Sequence, residues 1–241
     1  MDSKVFDRIE KKYLITPKDK REILKVIKKN MKNDNYHRSG VLNIYFDNDN
    51  FDLITQSIDW EDFKEKIRAR SYKGYDRVFL EIKTKIRGKD NNVGYKRRVM
   101  ITREEYQKLI AKKTTMEELV QKSNRTKNEI QIAKEIDYLI DNFDLKPKIL
   151  VNYIRESYRD ENGLRITFDT NLKFRTKNLK FNQGKNDKII FNSDRNIIME
   201  IKAHGSLPLW LVKKMSEQKI YPQRFSKIGK TYEIIKKEQH V

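Results

Sequence analysis

The sequence predicts an α+β protein built on a long antiparallel sheet, and three kinds of signal carry that expectation. Four segments carry charge on alternate residues, with mostly aliphatic residues between: Arg8-Ile9-Glu10-Lys11-Lys12, Lys66-Ile67-Arg68-Ala69-Arg70, Leu80-Glu81-Ile82-Lys83 and Met199-Glu200-Ile201-Lys202. Period-two alternation gives a strand one charged face and one apolar face. Turn-rich stretches such as Lys73-Gly74-Tyr75-Asp76 and Asp160-Glu161-Asn162-Gly163 separate neighbouring runs, as in hairpins. Helix-start signals punctuate the strands: Thr16 before Pro17, and Thr102 followed three residues later by Glu105.

Taken in order, Val5 to Ile15 reads as a strand, and Lys18 to about Met31 as an amphipathic helix. Val41 to Phe46 is a second strand, closed by Asp47-Asn48-Asp49-Asn50, with a short helical turn from Phe51 to Gln56. Lys64–Tyr72, Val78–Lys85 and Gly94–Ile101 form a meander whose second connection is the loop Arg87 to Asn92. Helices are expected over Thr102–Lys112 and about Met116–Asn142, a helical insertion covering about 102–142. Ile149–Ser157 and Leu164–Asp169 make a hairpin, Lys173–Phe191 a weak strand region, and Asn196–Ala203 a firm strand. Ser206 is expected to cap a helix starting at Pro208, and a last helix runs from about Ser226 to Lys237. With neither a Pro/Gly/Ser linker nor an internal repeat, residues 1–241 read as one domain.

Composition narrows the function. The chain carries 54 Lys plus Arg against 35 Asp plus Glu, a net charge of +19, which calls for a polyanionic partner. Cysteine is absent, and His37, His204 and His240 lack zinc-site spacing, so any metal must sit on carboxylate oxygens, as Mg²⁺ or Mn²⁺ does. No run approaches the roughly 20 apolar residues of a membrane span, and the N-terminus lacks the apolar stretch of a signal peptide. A cytoplasmic protein is the expectation.

The charged faces hold eleven cations (Arg8, Lys12, Arg68, Arg70, Lys83, Lys85, Lys96, Arg98, Arg155, Arg165, Lys202) and three carboxylates (Glu10, Glu81, Glu200). Their opposite faces carry Ile67, Ala69, Leu80, Ile82, Val99, Ile101, Ile166, Phe168, Met199 and Ile201, which the predicted helices can cover. The charged side then faces solvent or the inside of a closed barrel. Like charges directly across a sheet repel, so the pattern favours an enclosed tunnel with an anionic ligand over a solvated face. A linear phosphate chain fits, because Arg and Lys neutralise non-bridging oxygens and the few Glu can hold a bridging divalent cation. Walker and Rossmann phosphate loops are both absent.

At these residues the chain resembles a known family. Arg8-x-Glu10-x-Lys12-Tyr13, Tyr45-Phe46-Asp47, Lys66-x-Arg68-x-Arg70-Ser71-Tyr72, Glu81-x-Lys83 and Lys96-Arg97-Arg98 look like the VTC-type polyphosphate polymerase domain. That family belongs to the triphosphate tunnel metalloenzymes, similar in fold to CYTH-type triphosphatases. Tyr153-x-Arg155, Leu164-Arg165-Ile166-Thr167-Phe168-Asp169, Glu200-x-Lys202 and Arg224-Phe225-Ser226-Lys227 continue the likeness, which spans residue 8 to about 232.

The resemblance implies a closed antiparallel eight-stranded barrel with a charged interior and helices outside. It implies ATP as phosphoryl donor, inorganic polyphosphate as product, and Mn²⁺ or Mg²⁺ as cofactor. By the same likeness Lys12, Arg68, Arg70, Lys83 and Arg155 are catalytic, gripping the phosphates in transfer. Arg8, Lys85, Lys96, Arg98, Arg165, Lys202, Arg224, Ser226 and Lys227 bind substrate, while Glu200, with Glu10 and Glu81 behind it, holds the metal. Arg224 departs from the Lys expected in the polymerase motif. A specific nucleic-acid partner is not expected, and any coupling to a membrane falls to a separately encoded membrane protein. Hydrolysis by a triphosphatase of the same fold, and a non-catalytic polyphosphate- or nucleic-acid-binding module, are the competing readings.

Overall fold

In the computed structural model, described over residues 8–59, 62–87, 92–123, 125–191 and 193–239, local sequence signals set most element boundaries. The side chains of Arg8, Asn92 and Gln239 lie outside the description, as do Val5 and residues 88–91 of the predicted loop. Nine strands and seven helices are seen among the described residues.

The chain forms two compact units. The first comprises residues 8–40, Tyr153–Lys173 and Ile189–Ser226. Here β1 (Arg8–Ile15) leads to α1 (Pro17–Asn30), which begins as its capping box dictates: Thr16 accepts from the Asp19 amide at 3.1 Å, and Asp19 accepts from the Thr16 amide at 2.9 Å. β9 (Ile197–His204) pairs antiparallel with β1 and with β7 (Arg165–Arg175). The core of this unit joins Tyr13, Ile15, Phe168, Met199 and Ile201 from the strands to Ile23 and Ile27 of α1 and Leu211 of α6 (Leu209–Glu217). Both helices therefore cover the apolar face.

The second unit comprises Val41–Asn152, Phe174–Lys188 and residues 227–239. The long strands β2 (Lys32–Asp47) and β6 (Lys146–Arg159) each contribute residues to both units. β2 pairs with β3 (Phe63–Tyr72), β3 with β4 (Arg77–Arg87), and β4 with β5 (Asn92–Thr102), all antiparallel. Leu42, Ile44, Ile67, Ala69, Leu80, Ile82, Val99 and Ile101 pack with helices α3 (Arg103–Ile110), α4 (Met116–Gln121) and α5 (Lys127–Asn142). Capping boxes at Thr102, Thr115 and Thr126 start these three helices. Two more helices complete the set, α2 (Asp52–Ile58) and α7 (Lys227–Gln239).

The expected antiparallel sheet is present, and among the described residues its hydrogen-bonded strand order, β1-β9-β7-β6-β2-β3-β4-β5, does not return on itself, so hydrogen bonds do not make the closure of a barrel. Three expectations need correction. β2 begins at Lys32, where polar residues give no alternation to mark a strand. The weak strand region is strand only at the end of β7, to Arg175, and in β8 (Lys188–Ile189); between them the Arg175 guanidinium takes the carbonyls of Asn178, Lys180 and Asn182, winding the backbone around itself instead of into a ladder. Ser206 does not cap α6; Pro208, fixed at φ −66°, stands at the boundary without a side-chain cap bond.

Candidate functional site

In the second unit, the charged face of the meander is organised around a buried carboxylate. Register places Arg68 opposite Glu81 and Glu81 opposite Arg98. Arg68 donates from Nε to Glu81 Oε2 at 2.7 Å, and Lys96 Nζ lies 2.6 Å from Oε1. Arg70 stands 4.0 Å from the same carboxylate and donates to Asn43 Oδ1 at 2.8 Å. Asn43 is itself buried and donates to the Val151 carbonyl. Burial pushes the Glu81 carboxyl up, but Arg68, Arg70 and Lys96 overcome it and hold the pKa down at about 2. The same burial lowers the Lys96 pKa against the pull of Glu81. One residue pair further along, Lys66, Lys83 and Lys96 stand opposite one another on three adjacent strands. Lys85, paired with Lys64, is exposed beyond them.

In the first unit, a second carboxylate centre lies on β1, β9, β7 and β6. Register sets Glu10 opposite Lys202 opposite Arg165, and Lys12 opposite Glu200 opposite Thr167. Lys202 Nζ is 2.9 Å from Glu200 Oε1 and 3.3 Å from Glu10 Oε2, so two carboxylates converge on one ammonium. Arg155 donates to both oxygens of the fully buried Asp169, at 2.6 and 2.7 Å, and its Nη2 lies 3.8 Å from Glu200. The Thr167 hydroxyl is buried and has no hydrogen-bond partner among the described residues. Lys12 Nζ donates to the Phe225 carbonyl at 3.0 Å, and the Gln223 amide donates to the Lys12 carbonyl at 2.8 Å, tying the segment before α7 to β1.

Family comparison assigns the chain: residues 7–236 match the model of the VTC domain. The chain belongs to the VTC domain family. No curated protein matches its sequence. Among solved structures, HpAC1 from Hippeastrum, a protein with a dominant triphosphatase activity, is similar at a TM-score of 0.50 and 16% identity, over 91% of this chain and 92% of that one. The PH1819 protein from Pyrococcus horikoshii OT3 is similar at a TM-score of 0.46 and 15% identity, over 94% and 98% of the two chains.

Within this VTC domain the expected residues fall into distinct settings. Arg68, Arg70 and Lys96 gather on Glu81, and Arg155 and Lys202 on Glu200, with Lys12 on the adjoining strand. Arg98 lies with its guanidinium carbon 4.9 Å from the Phe79 ring centroid. Arg165 joins neither carboxylate; it donates to Asp34 at 2.9 Å and to Ser157 at 3.1 Å. Arg8 pairs with His204 on β9, Arg224 is exposed, and Ser226 immediately precedes α7, whose first residue is Lys227.

Asp169, Asn43 and Asp34 were not assigned roles from the sequence. Parity could have found two of them: Asp169 alternates with Arg165 and Thr167, and Asn43 is a lone amide in an otherwise apolar run. Asp34 lies on the unpatterned part of β2 and carried no signal.

Proposed function

We propose that this VTC domain is a metal-dependent polyphosphate polymerase, moving the terminal phosphoryl group of ATP onto the end of an inorganic polyphosphate chain. The observation that carries the reading is the row Lys66–Lys83–Lys96, three lysines opposite one another across adjacent strands. Lys96 is ion-paired with Glu81, and the row as a whole sets three cations along one line of the sheet, on which the non-bridging oxygens of a phosphate chain can lie. Family membership over residues 7–236 supports the choice of anion.

In the proposed reaction a terminal oxygen of the acceptor chain attacks the γ-phosphorus, the bond to the β-γ bridging oxygen breaks, and ADP leaves. Phosphoryl transfer asks the protein for positioning and charge stabilisation. Arg68, Arg70, Lys83 and Lys96 in the second unit, and separately Lys12, Arg155 and Lys202 in the first, are cations suited to non-bridging oxygens. The closed tunnel of the family is part of this proposal.

The donor set fits a divalent cation best at Glu200 and Glu10, which already converge on one positive charge at Lys202. Glu81 faces three cations and suits a positioning role for Arg68 and Lys96 better. Among the described residues, no group of three or more His, Asp or Glu is placed to hold a metal. Phosphate oxygens and water would therefore complete the shell, as is usual for Mg²⁺. Held there by Glu200 and Glu10, Mn²⁺ or Mg²⁺ would supply positive charge against the phosphate oxygens.

Hydrolysis is the second reading, since HpAC1 shares the fold and has triphosphatase activity. Incubation with ATP and Mn²⁺, with gel analysis of polymer and assay of orthophosphate, separates the two. Polymer with little orthophosphate supports the polymerase; stoichiometric orthophosphate without polymer overturns it.

A further inference from the structure

The charged face of the β3-β4-β5 meander changes character at one end. From the exposed end inward its cross-strand rows are Lys64–Lys85, then Lys66–Lys83–Lys96, then Arg68–Glu81–Arg98. The next row is Arg70–Phe79–Met100, and Tyr72 follows Arg70 on the same face. Phe79, Met100 and Tyr72 are half-buried. They are not part of the core, which takes Val78, Leu80, Val99 and Ile101 from the other face of these strands. The Tyr72 and Phe79 rings meet edge to face, with centroids 6.4 Å apart, and Arg98 lies over Phe79 at 4.9 Å. The result is a platform of one thioether, two rings and a guanidinium, directly adjoining the arginine rows.

Resting on the reading above, we propose that Tyr72, Phe79, Met100 and Arg98 form the nucleobase subsite for the phosphoryl donor. The triphosphate then runs from Arg68, one row beyond Phe79, to the lysine row. Rings and guanidinium planes are the groups on which bases stack, and they accept any base because each has a π-face. Rows on one face of a strand are about 7 Å apart, which leaves room for the ribose, beside Arg70, between a base on Phe79 and the first phosphate on Arg68. The arrangement gives the site a direction: base toward the β3–β4 turn, growing phosphate toward Lys64 and Lys85.

The test compares ATP, ribose 5-triphosphate and inorganic tripolyphosphate by calorimetry on the full chain. Stacking of one base predicts that wild type binds ATP about tenfold more tightly than ribose 5-triphosphate. Phe79→Leu, which keeps an apolar side chain and loses the ring, is expected to remove that advantage while leaving tripolyphosphate affinity unchanged; Phe79→Trp is expected to restore it. Equal affinity of wild type for ATP and ribose 5-triphosphate overturns the base subsite and leaves the phosphate reading standing. Failure of wild type to bind any of the three overturns both. Photolabelling of wild type with 8-azido-ATP needs no variant. Label on Tyr72, Phe79 or Met100 supports the direction, and label near Lys64 overturns it.

Discussion

Arg155 is held at two points by Asp169, Nε to Oδ1 at 2.6 Å and Nη2 to Oδ2 at 2.7 Å, and the carboxylate is fully buried. A two-point pair fixes the guanidinium plane as well as its charge. Glu200 lies on the same Nη2 at 3.8 Å, so Asp169 keeps Arg155 from turning wholly onto the proposed metal ligand.

Asp169→Asn is therefore expected to lower turnover more than it changes tripolyphosphate affinity, because the cation stays but its orientation is lost. Asp169→Ala removes one partner of a buried pair and should destabilise the protein by about 3–5 kcal/mol. Denaturant unfolding and steady-state kinetics on both variants check this. Unaltered turnover in Asp169→Asn, with the fold intact, would remove the positioning role.

Glu81 makes stability depend on acid pH. Its folded pKa, about 2, lies below the ordinary 4.5, so its contribution is full above the unfolded value and is lost as pH falls toward 2. The wild type should lose on the order of 3 kcal/mol from this group alone across that window. Glu81→Gln should lose stability at neutral pH and show a flatter acid limb in urea melts taken from pH 5 to pH 2. An unchanged acid limb would contradict the pairing with Arg68 and Lys96.

The lysine row is expected to serve binding more than stability. Lys83 stands opposite Lys66 on one side and Lys96 on the other. Replacing it with Met keeps the apolar stem and removes one cation, and should change stability by no more than about 1 kcal/mol. The same change should weaken tripolyphosphate binding by about tenfold, one charge-assisted contact being worth roughly 1.5 kcal/mol. A melt and a titration on one preparation decide it; a variant that is less stable and binds as well refutes the relation.

Metal dependence should separate the carboxylates. Glu200→Gln is expected to raise the Mn²⁺ concentration needed for half-maximal turnover by tenfold or more, on the scale of about 1.4 kcal/mol per tenfold. Glu10→Gln should raise it less, since Glu10 is the more exposed partner of Lys202. Chelation with EDTA should abolish turnover. Equal Mn²⁺ curves for wild type and Glu200→Gln would move the metal elsewhere.

Much of the fold is legible in the residues themselves. Alternation in Lys66–Arg70 and Leu80–Lys83 fixes which side chains share a face, because successive strand residues point to opposite sides whatever the strand's neighbours. Thr16, Pro17, Thr102 and Glu105 mark helix starts because a cap acts within one turn of backbone. The motifs from Arg8 to Lys227 carry the family likeness for the same reason: each is a short run of residue types. Partnership is a different matter. That Lys96 and Arg68 meet on Glu81 depends on the register of three strands, that Arg165 turns to Asp34 depends on residues 131 apart in sequence, and that Asp169 orients Arg155 depends on a hairpin's exact alignment. Charge and alternation determined that cations line one face of these strands; only strand pairing over long sequence separations decided which carboxylate holds each of them, because Coulombic and hydrogen-bond contacts act over a few ångströms of space and not along the chain.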